Sequence, residues 1–146
     1  MCQCSTPMPN PAGSVTRQSL HDRSRTEALV HKWIESEKAG CDLGEAAIKG
    51  WVRHHWNGFL RAKWIEHVEG ISYWIELEHR DFGLFRTIRH DSAITPEIFE
   101  LLKRGKENLD IIVWAQNAGH DIEEVLRVLE QFDINRIRLE SRLLGR

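Results

Sequence analysis

Lys49, Arg53, Asn57 and Arg61 recur at every fourth position of one segment, with His54, Lys63 and Trp64 close by. Side chains four apart share one face of a helix, so this spacing predicts a row of cations one turn apart. Such a row suits successive phosphates or an acidic protein surface. Trp64 among the cations would stack on a base or on a guanidinium. The plainer alternative is that any amphipathic helix needs a solvated face.

A second chemistry comes from the eight histidines. Glu76-Leu77-Glu78-His79 has the Glu-x-x-His spacing of carboxylate-bridged di-metal sites in helix bundles. Glu27, His31, His54 and His67 would extend it to a divalent-metal site if two long helices face each other. A single motif of this kind, in a segment that reads as strand and turn, is half of what a di-metal centre needs. No cofactor is therefore predicted, and metal binding stands as the rival reading. His55 falls on the core arc of its helix and reads as a buried, hydrogen-bonded imidazole rather than a ligand.

Other motifs are isolated. Asp81-Phe82-Gly83 matches the magnesium-binding triplet of protein kinases, but no glycine-rich phosphate loop or His-Arg-Asp loop accompanies it. Cys2 and Cys4 offer two thiolates without the further ligands that a structural zinc site requires, and Cys41 reads as a small buried thiol. Catalysis has no positive motif. The expectation is a small non-enzymatic binding module whose basic, Trp-containing helix face contacts nucleic acid or an acidic protein.

The chain that must position these residues has 146 residues, 41% of them hydrophobic and 29% charged, with a net charge of −2. That composition is globular rather than disordered, and its length suits one domain able to bury a core without staples. No run reaches the roughly 18 apolar residues of a membrane span, and residues 1–23 lack the apolar stretch of a signal peptide. Three cysteines, an odd number, argue against a disulfide framework. A cytoplasmic protein is the expectation.

Residues 1–23, proline-rich and without apolar periodicity, read as a flexible tail, and residues 24–146 as one mostly helical domain. Ser24-x-x-Glu27 is a capping-box signal that starts a helix over about 25–39, with Ala28, Leu29, Trp33 and Ile34 as its inward stripe and Gly40 as its exit. Asp42-x-x-Glu45 starts a long second helix over about 43–69. Ile48, Trp51, Val52, His55, Phe59 and Ala62 form its core arc, with Trp56 at the margin. Gly50 and Gly58 in its interior suggest a close neighbour or a kink. After Gly70 the period changes to two: Ile71, Tyr73, Ile75 and Leu77, then Phe82, Leu84 and Ile88 beyond a four-residue connection, which predicts a β-hairpin. Helices follow from Thr95-Pro96 to Gly105, from Asn108 to Gly119, from Asp121 through Leu129, and from Asp133 through Leu144. The predicted architecture is mainly α, a bundle of five to six helices with one small hairpin after the long second helix.

Charge is segregated along this chain. Residues 42–65 carry four cations against two carboxylates, whereas residues 107–130 carry one cation against six. Ile112–Val128 resembles a helix-turn-helix, but Glu123 and Glu124 stand where a DNA reader needs neutral or basic groups, so an ordinary α-hairpin is favoured. The same acids suggest docking onto the basic helix of another copy, a route to a homo-oligomer. Of six tryptophans, Trp33, Trp51, Trp56, Trp64 and Trp74 lie in the first half, too many to bury easily in so small a domain. Exposure of Trp56, Trp64 or Trp74 would mark a contact surface, whereas stacking of all of them between the helix pair and the hairpin would make an aromatic-rich core.

Overall fold

The computed structural model describes residues 16–133, 137 and 139–144. Most of the predicted tail, with Cys2 and Cys4, lies outside the described residues. The first helix, α1 (Leu20–Ala39), nevertheless starts within the part read as tail, because its cap is Ser19 and not Ser24. The Ser19 hydroxyl accepts from the Asp22 N–H, while the Glu76 carboxylate, brought from far along the chain, accepts from the Leu20 and His21 N–H groups. Helix starts leave their first N–H groups unpaired, and two side chains answer that need here. Ser24 sits one turn inside, buried, with its hydroxyl donating to the His21 carbonyl.

The second helix, α2 (Glu45–Glu69), rises about 38 Å at 1.5 Å per residue and is the spine of the molecule. Gly70 ends it at φ 84°, and a Cβ there would lie 3.1 Å from the Arg86 guanidinium carbon, so both conformation and space call for glycine. Two cores lie along α2. Its first half packs Trp51, Val52, Trp56, Phe59 and Leu60 with Leu20 and Ala28 of α1 and with Trp74. Its second half turns Trp64, Ile65 and Val68 into a core shared with the C-terminal helices.

The predicted hairpin is not formed. The extended segment after Gly70 contributes one short strand, β2 (Tyr73–Trp74), which pairs in parallel with β1 (Arg17–Gln18), Arg17 opposite Tyr73 and Gln18 opposite Trp74. Its return is a 3₁₀ turn at His79–Asp81 and a short helix, α3 (Leu84–Ile88). Leu84 and Ile88 are four apart, a spacing that serves a helix as well as a strand face. The alternation also fails inside the strand, since Tyr73 and Trp74 are both buried while Ile71 and Ile75 are exposed.

The helices α4 (Thr95–Lys103), α5 (Asn108–Ala118) and α6 (Ile122–Gln131) complete the fold. The protein is mainly helical, with six α-helices and a two-stranded sheet among the described residues. α5 and α6 form the expected α-hairpin around Gly119, with a reciprocal capping box between Glu107 and Asp110 at the start of α5. Phe85, Phe99 and Phe132 stack in the second core, the first pair with centroids 4.2 Å apart. The helix predicted from Asp133 is different: residues 134–136 and 138 lie outside the described residues, and Arg142–Leu144 form a 3₁₀ turn. The Trp56 indole N–H donates to the Leu139 carbonyl at 2.8 Å, which lays this segment along α2.

Among the described residues, a Cβ at Gly50 or Gly58 would meet no other part of the chain within 4 Å, so the close neighbour, one of the two expectations, is not found. Both lie in the helix interior, where glycine costs about 1 kcal/mol relative to alanine. Gly50→Ala and Gly58→Ala are each expected to raise stability by about 0.5–1 kcal/mol in urea unfolding followed by circular dichroism. A loss of stability in either variant would show that the helix needs glycine there.

Candidate partner-binding face

α2 distributes the six residues of the basic row among three environments. Lys49, Arg53 and Asn57 are exposed at one-turn intervals, and among the described residues none of them forms an ion pair. Arg61 is held by the protein itself. Its guanidinium donates to Glu107 Oε2 at 3.1 Å, to the Leu102 carbonyl at 3.1 Å and to the Lys106 carbonyl, clamping the turn between α4 and α5 onto α2. Lys63 lies 3.3 Å from Glu66 and 4.0 Å from Glu27, with its ammonium near the Phe59 and Trp74 rings. Trp64 is 1% exposed, in the second core, and does not share the surface of Lys49 and Arg53.

Of the exposed trio, Asn57 lines an open cleft of about 1350 Å³ between α2 and the C-terminal segment. Val52, Trp56 and Leu60 supply its apolar wall, Asn57 its edge, and Arg142 and Leu144 the opposite side. The cleft therefore presents an apolar wall on α2 opposite a mixed side that carries Glu140, Ser141 and Arg142.

The metal-ligand candidates are drawn into separate tasks. Glu27 lies beside Lys63. His31, half-buried, meets His55 edge to face with ring centroids 5.5 Å apart, and His55 is exposed rather than the buried imidazole expected from its arc. His54 contacts the Gly50 carbonyl at 3.0 Å. The Tyr73 hydroxyl lies 2.9 Å from His79 Nδ1. Among the described residues, no group of three His, Cys, Asp or Glu side chains is placed to hold a metal ion. Cys41, expected to be buried, is exposed.

His67 and Glu76 are structural. His67 is fully buried between the Tyr73 and Phe82 rings; its Nδ1 accepts from the Trp74 N–H at 3.2 Å, so Nε2 carries the proton and donates to the Glu78 carbonyl at 2.8 Å. Burial pushes its pKa below the ordinary histidine value, against the opposing pull of the Glu78 carbonyl and Asp81. For Glu76, partial burial pushes the pKa up, but hydrogen bonds from the Ser19 hydroxyl and the Leu20 and His21 N–H groups outweigh it and hold the carboxyl below the usual range.

The tryptophans divide between the two alternatives read from sequence. Trp51, Trp56, Trp64 and Trp74 are buried, and the strongly exposed one is Trp33, at 65%. It belongs to an outward face of α1 together with Leu29, Val30 and Ile34; of these, Leu29, Trp33 and Ile34 read from sequence as an inward stripe. The inward side is Leu20, Ser24 and Ala28 instead, small enough near its middle to let α1 approach the bulky Trp51, Trp56 and Phe59 of α2. No helix among the described residues is long and apolar enough to cross a membrane. No protein-family model, curated protein or solved structure matches the chain at a significant level.

Proposed function

We propose that the protein is a binding module that takes an acidic protein partner at the Lys49–Arg53–Asn57 edge of α2 and the adjoining apolar cleft. One observation carries this reading: Lys49 and Arg53 stand exposed one turn apart, without ion-pair partners among the described residues, on the same helix row as Asn57, which lines a cleft walled by Val52, Trp56 and Leu60. Apolar floors with charged rims are the anatomy of protein interfaces, and rim charges set the encounter rate and partner sign. A nucleic acid is the weaker occupant. Arg61 and Lys63 are neutralised by the protein's own carboxylates, and Trp64 is in the core, which leaves two free cations of the original row among the described residues and no aromatic on it for a base.

The test uses a fluorescein-labelled amphipathic peptide built from Asp, Glu and Leu, and, in parallel, a random-sequence single-stranded DNA of about 20 nucleotides. Anisotropy at low salt is expected to show peptide binding that weakens by about tenfold or more in the Lys49→Glu, Arg53→Glu double variant, with no comparable DNA binding. DNA binding lost in the same variant would transfer the function to nucleic acid. Binding of neither probe, or peptide binding indifferent to the charge reversal, would remove the proposal.

A further inference from the structure

α1 is apolar on the side that faces away from the protein. Leu29 (48% exposed), Val30 (51%) and Trp33 (65%) project outward, with Ile34 beside them. A helix with apolar residues on its outer as well as its inner side is normally covered on both. The charges around this patch indicate the cover. Arg23, Val30 and Glu37 are seven residues apart and lie nearly in one line along the helix, since a straight helix drifts only about 20° per seven residues. Val30 is at the middle of Leu20–Ala39, with a cation one heptad before it and a carboxylate one heptad after it. Both charged residues are exposed, and the Arg23 guanidinium, which donates to Gln18 Oε1 at 3.2 Å and lies 5.7 Å from the centre of the Trp74 ring, retains further donors.

A face with this layout complements itself. Two copies of α1 laid antiparallel about a two-fold axis at Val30 set Val30 against Val30, interleave Leu29 and Trp33 across the seam, and bring each Arg23 to the Glu37 of the other copy. A parallel pairing sets Arg23 against Arg23 and Glu37 against Glu37, so the charges also select the direction. A two-fold interface requires such self-complementarity, which a face shaped for an unrelated partner has no reason to possess. We propose that the outer face of α1 is a dimerisation surface, occupied by the same face of a second copy in antiparallel register centred on Val30. The surface is separate from the α2 cleft, so both can be engaged at once. A contact between two 20-residue helices is at the small end of specific interfaces, and the expected dissociation constant is micromolar.

Sedimentation velocity of the full chain from about 5 to about 200 μM is expected to show a monomer–dimer equilibrium that Val30→Glu and Trp33→Glu abolish. Arg23→Glu alone and Glu37→Arg alone should each weaken dimerisation by about tenfold or more. Mixing these two variants should restore it. In the mixed pair the carboxylate introduced at position 23 of one copy meets the guanidinium introduced at position 37 of the other, while the unchanged Arg23 and Glu37 meet at the second contact. Should Arg23→Glu fail to fold, Val30→Cys, in a chain with Cys2, Cys4 and Cys41 replaced by serine, is expected to oxidise to a covalent dimer across the two-fold axis. A monomer at every concentration overturns the proposal, as does a dimer indifferent to Val30→Glu or a mixture that fails to associate while Val30→Cys fails to cross-link.

Discussion

Trp64→Ala is expected to lower the unfolding free energy by about 3–5 kcal/mol, a large share of the roughly 5–15 kcal/mol typical of a domain. The indole is almost wholly buried in a core that also holds Ile65, Val68, Ile98, Phe99, Leu102 and Phe132. Truncation removes its transfer free energy and leaves a cavity that the surrounding packed helices can close only in part. Arg53→Glu, at an exposed position, is expected to change stability by no more than about 0.5 kcal/mol. Urea unfolding of both variants, followed by circular dichroism, measures the contrast. A Trp64→Ala loss below about 1 kcal/mol would mean that Trp64 is not core, and would return it to the basic face from which the structure removes it.

Trp64 also shows what could be read from residues alone. The helix boundaries were legible wherever the signal is local: Gly40, Gly70 and Gly119 all end helices in the left-handed conformation. So was the first core arc of α2, through Ile48, Trp51, Val52 and Phe59, because one period-3.6 pattern describes it. At 100° per residue Trp64 lies about 220° around from Trp51, on the side that is solvent in the first half of the helix and core in the second. A single stripe cannot describe a helix that serves two cores on different sides. The basic row divides for the same reason: Lys49 and Arg53 precede the region covered by α3–α6, whereas Arg61 reaches it and meets Glu107.

The other differences come from partners distant in sequence. Ser19-x-x-Asp22 and Ser24-x-x-Glu27 are rival local start signals, and what favours the first is Glu76, which no local pattern couples to residue 19. The strand at Tyr73–Trp74 likewise depends on Arg17–Gln18, in a segment whose prolines and polar residues gave no strand period. For α1, both sides carry apolar residues, and periodicity alone does not say which one meets the aromatics of α2. The heptad relation of Arg23, Val30 and Glu37, by contrast, was present in the sequence and gained meaning once the structure turned that side outward.

Glu76→Ala should be the most damaging change outside the two cores, with an expected loss of about 2–3 kcal/mol at neutral pH. One carboxylate serves the Ser19 hydroxyl at 2.6 Å and the Leu20 N–H at 2.6 Å, and reaches the His21 N–H at 3.4 Å. It thereby fastens the start of α1 to the segment that follows β2, and sits at the positive end of the helix dipole. Glu76→Gln keeps an acceptor without the charge and should lose about half as much. The pH dependence follows from three lowered values, those of His67, Glu76 and the partly buried His21, whose burial pushes its pKa in the same direction as that of His67. His67 has a lowered pKa in the folded protein, so the unfolded chain binds its proton first. Its contribution is complete above the ordinary histidine value of about 6.5 and is lost as pH falls through the folded value. Protonation there would place a second N–H against the Trp74 N–H, which now donates to Nδ1. Glu76, also lowered, contributes fully above about 4.3 and loses its contribution as pH falls through its folded value. Stability measured by urea unfolding should therefore be level above about pH 7, decline once pH falls below the ordinary histidine value and decline again below the ordinary carboxylate value. His67→Gln should reduce the first decline, leaving the share of His21, and the Glu76→Ala penalty should persist at about pH 5.5 yet shrink towards about pH 3. A first decline unchanged by His67→Gln would assign it to other histidines, and a Glu76→Ala penalty independent of pH would mean that the carboxylate charge has no part in holding α1.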